Sequence, residues 1–170
     1  MENPLYAQLS RGKFESTILH LLTQIMFDLN KIASDLIIFT IPELSYFEIP
    51  DTFYTGSSIM PHKRNPDVLE LLRAKYYVIV SYKSQVENII GNLLSGYNRD
   101  LQLTKEPAIK GLEITKESLT IAKLIIKNLK VDKEKCNQGL TKEIYATEEV
   151  YNLVKKKVPF REAYGKISEE

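Results

Sequence analysis

The sequence holds a single cysteine, Cys136, among 170 residues, which rules out an internal disulfide and fits a reducing, cytoplasmic setting. No apolar run approaches the roughly 20 residues that a membrane span needs. The opening Met1-Glu2-Asn3-Pro4 has neither the basic start nor the apolar core of a secretory signal. Neither sign of charge dominates: 23 Lys and Arg stand against 22 Asp and Glu, a formal net charge of +1. A broad nucleic-acid or membrane surface therefore has no basis here. Internal repeats, metal-ligand clusters, phosphate-loop glycine patterns and strand alternation are missing too. What is left is 44% hydrophobic and 26% charged, the balance of a soluble globular chain with a real core.

Helical periodicity fills that chain. From about Arg11 to Phe39, Ile18, Ile25, Ile32 and Phe39 form one row and Leu22, Leu29 and Leu36 the next, with Leu19, Met26 and Ala33 widening the face. So wide a stripe predicts a long helix buried among several others, some of them from other chains. Ile41-Pro42 stops it. A second long helix is expected from Pro66 to about Leu94, with Leu72, Ile79, Val86 and Leu93 on one row and Leu69, Tyr76 and Ile90 beside it. Gly91 and Gly96 mark its end. Beyond Pro107 a third helix is expected to about Leu129, carrying Leu112, Leu119 and Ile126 with Ala122 and Leu129 alongside. Val131-Asp132 opens a short turn, and small helices follow over 141–157 and 159–167.

Two polar stretches interrupt this pattern. The first runs Thr55-Gly56-Ser57-Ser58-Ile59-Met60-Pro61-His62-Lys63-Arg64-Asn65-Pro66. Gly56 frees the backbone, two hydroxyls follow, and the prolines stiffen the rest. Asn65 suits an N-cap and Pro66 a first helical position. Lys63 beside a helix N-terminus predicts an anionic guest. A merely capped inter-helix loop would account for Asn65 and Pro66, but not for Ser57, Ser58 and Lys63. The second stretch, residues 95–107, offers the Tyr97 hydroxyl, the Gln102 amide and the Lys105 ammonium. It suits either a zwitterionic or guanidinium-bearing ligand with its carboxylate, or a solvated turn with local caps.

Other reactive residues have simpler roles. His20 reads as a core or edge histidine with no carboxylate one turn away. Cys136 reads as a spectator thiol. Lys155-Lys156-Lys157 complements a helix C-terminus.

The first polar stretch matches, at every fixed position, the signature Gly-Ser-Ser-x-Met-Pro-x-Lys-x-Asn-Pro and so resembles the fumarase/aspartase superfamily of lyases. Further motifs narrow the likeness: Asp67-Val68-Leu69-Glu70-Leu71-Leu72-Arg73, Tyr97-Asn98-Arg99-Asp100-Leu101-Gln102 with Lys105-Glu106-Pro107, and Val158-Pro159-Phe160-Arg161-Glu162-Ala163 look like those of argininosuccinate lyases. His62 and Arg64 give the loop a wording also similar to adenylosuccinate lyases. The resemblance implies an all-α fold: a long-helix bundle over residues 1–106 with its loop at 55–66, plus a small C-terminal helical domain over 107–170. It implies Ser57 as catalytic base with Ser58 beside it. Lys63 and Asn65 would hold the succinyl carboxylates, and Tyr97, Gln102 and Lys105 would be substrate contacts. A cytoplasmic homotetramer of arginine biosynthesis with shared active sites is implied, with no cofactor, metal, nucleic acid or membrane.

The implied reaction is a carbon–nitrogen elimination of the amidine-lyase type, releasing arginine from argininosuccinate and leaving fumarate. The base removes a C–H proton beside a carboxylate, and fixed donors stabilise the charge that develops there. Two departures stand out. Ser10-Arg11-Gly12-Lys13 replaces the usual Ser-Asp-Arg-Asp, so no role passes to Arg11. Members of the family are also much longer, so the chain is expected to be a C-terminal portion without normal turnover by itself. Outside catalysis, the sequence allows a non-catalytic helical assembly module. A nucleic-acid contact through His62-Lys63-Arg64 fits the balanced charge poorly.

Overall fold

In the computed structural model, which describes residues 3–56, 59–60 and 64–168, Asn3 caps a short first helix, α1 (Pro4–Leu9), by accepting the Tyr6 N–H at 3.0 Å. This helix is too brief to leave a periodic trace in the sequence. The next, α2 (Lys13–Phe39), follows Gly12. Gly12 has φ of +85°, and a Cβ there would sit 2.3 Å from the Ile90 Cγ2 atom, so both the backbone and the space call for glycine. Its N–H is taken by the Glu15 carboxylate at 2.8 Å, which satisfies an otherwise orphaned donor. At the far end the Thr40 hydroxyl donates to the Leu36 carbonyl at 2.7 Å.

Helices α3 (Asp67–Ile90) and α4 (Lys105–Asn128) pack against α2 and against each other. Two of the three apolar rows of α2 supply the core. Leu19, Met26 and Ala33, with Leu22, Leu29 and Leu36, meet Leu69, Leu72, Ile79 and Val86 of α3. Each fully buried leucine contributes roughly 1.5–3 kcal/mol. Across the α2–α3 seam, Ser16 donates to Glu87 at 3.0 Å and the Asn30 amide to the Arg73 carbonyl at 2.9 Å.

The inward face of α4 differs from the expected one. Leu112, Leu119 and Ile126 are 49%, 45% and 54% exposed, while Gly111, Thr115, Ser118, Ala122 and Ile125 face inward. The reason is closeness: a Cβ on Gly111 would lie 2.6 Å from the Leu19 Cδ2 atom. Only small groups fit where α4 crosses α2. Thr115 satisfies its hydroxyl on the Gly111 carbonyl at 2.8 Å, whereas the buried Ser118 hydroxyl has no partner.

Two compact units result, Met1–Lys130 and Val131–Glu170. A division after residue 106, as expected from the sequence, would cut through the first turn of α4. The packing of α4 on α2 and α3 groups it with the bundle instead. The second unit holds α5 (Lys133–Gln138), whose N–H groups begin on the Asp132 carboxylate, and the packed pair α6 (Lys142–Lys155) and α7 (Phe160–Ser168). Val150 and Ala163 are its buried contacts. Lys157, at φ +68°, ends α6, and Lys155 to Lys157 lie exposed where the helix dipole favours cations. Among the described residues, no helix is long and apolar enough to cross a membrane.

Two consequences can be measured. Gly111→Val should lower stability by about 1–3 kcal/mol through overpacking, whereas Ser118→Ala should leave it unchanged or slightly raised because an unpaired buried hydroxyl is removed. Thermal melts of both variants decide this, and equal losses would refute the close-crossing account. The second concerns Glu87, whose carboxyl is held below the ordinary range chiefly by the Lys83 hydrogen bond, with burial opposing and Ser16 assisting. A lowered folded pKa stabilises above the unfolded carboxyl value, and the gain is lost as pH falls through the folded pKa. The melting-temperature gap between the parent and Glu87→Gln should therefore shrink between about pH 7 and about pH 3. A gap constant over that range would remove Glu87 from the acid response.

Candidate active site

The signature stretch starts and ends in one place. Thr55 pairs with Asn65 and Gly56 with Arg64 in a short antiparallel ladder, which sets the two ends of the loop side by side at the start of α3. Ser57, Ser58, His62 and Lys63 lie outside the described residues. Asn65 is half-buried within the ladder and does not cap α3. Pro66 takes the capping position, and its carbonyl accepts the Leu69 and Glu70 N–H groups at 2.8 and 3.1 Å. The expected cap fails because Asn65 is held extended by its pairing with Thr55. The Thr55 hydroxyl donates to the Asp67 carboxylate in the first turn of the helix.

Arg64 reaches back from the ladder. Its guanidinium lies 2.6 Å from the Asp51 carboxylate and 6.0 Å from the centre of the Tyr54 ring. Both ends of the ion pair are well exposed, so its contribution is orientation more than stability. Tyr54 lines a cleft of about 450 Å³ with Thr40, Ile41 and Pro66. Burial is the main cause that pushes its hydroxyl pKa up, so Tyr54 stays a neutral hydrogen-bonding group at ordinary pH.

The second polar stretch gathers around the other end of α3. Residues Arg99–Thr104 form a 3₁₀ helix. With three residues per turn, Leu101 and Thr104 point inward together and are buried, which leaves Gln102 facing out. The Thr104 hydroxyl donates to the Leu101 carbonyl at 3.0 Å and approaches Glu15 at 3.5 Å, tying this turn to the start of α2. Lys105 is exposed at the first position of α4. Tyr97 is exposed, with the Arg11 guanidinium 5.2 Å from its ring centre. Tyr97, Gln102 and Lys105 thus share one end of the bundle.

From the sequence Arg11 takes no role, because Ser10-Arg11-Gly12-Lys13 departs from the family's usual segment. Only the approach of the α2 start to Tyr97 brings it into this group. His20 is exposed on α2, and Cys136 is half-buried in α5. Among the described residues, no group of three or more His, Cys, Asp or Glu is placed to hold a metal ion.

The two stretches stand apart. Asn65 precedes α3 and the Tyr97 group follows it, and 24 residues of helix at about 1.5 Å each amount to about 36 Å. In one copy of this chain Asn65 and the Tyr97 group therefore stand at opposite ends of α3.

Comparison with known proteins places this architecture. The sequence profile of a family described as lyase matches residues 2–81. Argininosuccinate lyase from Thermotoga neapolitana is 49% identical over 168 residues, covering 99% of this chain and 42% of the relative. Argininosuccinate lyase from Sorangium cellulosum is 42% identical, covering 99% and 39%. The chain therefore spans about two-fifths of the length of the curated relatives it matches. Among solved structures, the fumarate lyase:delta crystallin from Brucella melitensis superposes with a TM-score of 0.75 at 22% identity, over 99% of this chain and 38% of that one. The 3-carboxy-cis,cis-muconate lactonizing enzyme from Pseudomonas putida gives 0.73 at 20%, with the same coverage. At such identities these two establish the fold, the long-helix bundle with a small C-terminal helical unit. Over residues 2–81 the chain matches the lyase family, and along 99% of its length it is similar to curated argininosuccinate lyases.

Proposed function

We propose that the complete protein eliminates arginine from argininosuccinate to give fumarate, as a cytoplasmic carbon–nitrogen lyase of the amidine-lyase type in arginine biosynthesis. The observation that carries this reading is the 49% identity to an argininosuccinate lyase over 168 residues, a span that includes both polar stretches. In this reading Ser57 is the base that takes the C–H proton, with Ser58 beside it. Lys63 and Asn65 bind the succinyl carboxylates, and fixed donors there lower the energy of the developing dianion more than that of the substrate. Tyr97, Gln102 and Lys105 contact the rest of the substrate.

The 36 Å of α3 between the two groups supports a composite site, in which the loop of one copy meets the Tyr97 group of another. Uncovered apolar surface supports the same assembly. Ile18, Ile25 and Ile32 of α2 are 41%, 38% and 40% exposed. Ile25, Leu112 and Leu119 line a groove of about 410 Å³ between α2 and α4. Single exposed apolar residues are ordinary, but rows along whole helices mark an interaction surface. We assign this surface to further copies of the chain in a homotetramer.

In the complete protein, Ser57→Ala should lower fumarate release from argininosuccinate by about 10²–10⁴-fold, the usual worth of a positioned base. Undiminished release would take Ser57 out of the mechanism. A composite site also predicts complementation. Separately inactive Ser57→Ala and Gln102→Ala proteins, mixed and reassembled, should regain fumarate release well above either alone, because some sites then combine an intact loop with an intact Gln102. No recovery from verified mixed oligomers would show that both groups serve a site from the same copy.

A further inference from the structure

Beside Tyr97 the bundle carries a cleft of about 250 Å³, whose lining includes Arg11, Lys13, Ser95, Gly96 and Asn98. We infer that this cleft is a binding site for a small oxyanion, of carboxylate or phosphate chemistry, with Arg11 as its principal recognition group and Lys13 as its second charge.

Its charge is one-signed. The lining contains two cations and no acidic residue. The ion pairs among the described residues involve Arg64, Lys75, Lys83, Lys110 and Lys166, so neither Arg11 nor Lys13 is neutralised by a carboxylate there. Glu15, the acid that closes the start of α2, already accepts the Gly12 N–H at 2.8 Å and faces the Thr104 hydroxyl at 3.5 Å. Asn98 spends its amide on the Leu94 carbonyl at 2.8 Å. Glu15 keeps its charge at the start of α2 but takes no part in the lining, so the cavity itself presents two cations and no carboxylate, where an anion is favoured.

Its shape is fixed. The Arg11 guanidinium lies over the Tyr97 ring, 5.2 Å from its centre, and a cation–π contact uses none of its five N–H donors, which can serve a bidentate oxyanion. Gly12, at φ +85° and pressed against Ile90, sets the backbone between the two cations. Buried Leu101 and half-buried Ile90 and Leu93 give the cleft apolar walls, which strengthen charge interactions relative to open water. At about 250 Å³ the space falls below the roughly 300–1,000 Å³ of sites for drug-sized ligands, so the guest is small. The site stands whether or not the elimination proposed above is correct, since it rests on the cleft alone.

The test reads binding, not turnover. The ¹⁵N-labelled chain is titrated at constant ionic strength with succinate, inorganic phosphate or acetate, with chloride as the balancing ion. Saturable shifts are expected at the Gly12, Lys13 and Gly96 amides and at the Arg11 side-chain Nε–H, with at least tenfold weaker binding in Arg11→Gln. Succinate binding tighter than phosphate identifies a carboxylate site, and the reverse identifies a phosphate site. Shifts that never saturate, or that chloride alone reproduces, overturn the inference using the unmodified chain. Saturation undiminished in a folded Arg11→Gln/Lys13→Gln double variant overturns it equally.

Discussion

The seam between α2 and α3 is the constraint on which the other features depend. Leu19, Met26, Leu29 and Leu36 on one helix and Leu69, Leu72, Ile79 and Val86 on the other are buried along it. That burial fixes the two helices lengthwise over most of their extent. Because α3 runs from the Arg64–Asn65 strand to the Tyr97 group, a firmly packed α3 holds those two at its opposite ends. Slippage along the seam would expose a leucine or isoleucine at every turn, so the separation of the polar groups is set by hydrophobic burial and not by the loops.

The third helix completes the bundle under a different rule. Where α4 crosses α2, Gly111, Thr115, Ser118 and Ala122 allow close approach, at the cost of a weakly apolar inner face and one unpaired hydroxyl. Its larger apolar side chains are thereby turned outward, next to Ile25 of α2. Such an arrangement is economical only if outward rows find partners, since rows of half-exposed leucine and isoleucine gain little in a lone copy. One geometric fact, a close crossing at Gly111, thus links the packing of a single chain to the assembly proposed for it.

At the end of α3 that leads into α4, exposed polar groups stand on buried anchors. Leu101 and Thr104 hold the 3₁₀ turn down so that Gln102 and Lys105 stand free. At the other end of α3, the mostly exposed ladder of Thr55–Gly56 with Arg64–Asn65 brings residues 56 and 64 side by side, and Asp67 receives the Thr55 hydroxyl.

The sequence by itself determined the helices, because a row such as Leu72, Ile79 and Val86 repeats at helical spacing whatever its neighbours are. It also carried the family signature, since fixed residue types are legible without coordinates, and it singled out Tyr97, Gln102 and Lys105, which one end of the bundle brings together. It did not reveal that Asn65 would pair with Thr55 instead of capping α3, because a ladder depends on a strand ten residues away. Nor did it show that α4 would present Gly111 and Ser118 inward and Leu112 outward: periodicity reports which face is apolar, while only a neighbouring helix decides which face is covered. Tertiary structure alone set Arg11 over Tyr97 and put the length of α3 between the two polar stretches, since distances across a fold arise from packing and leave no mark on the order of residues.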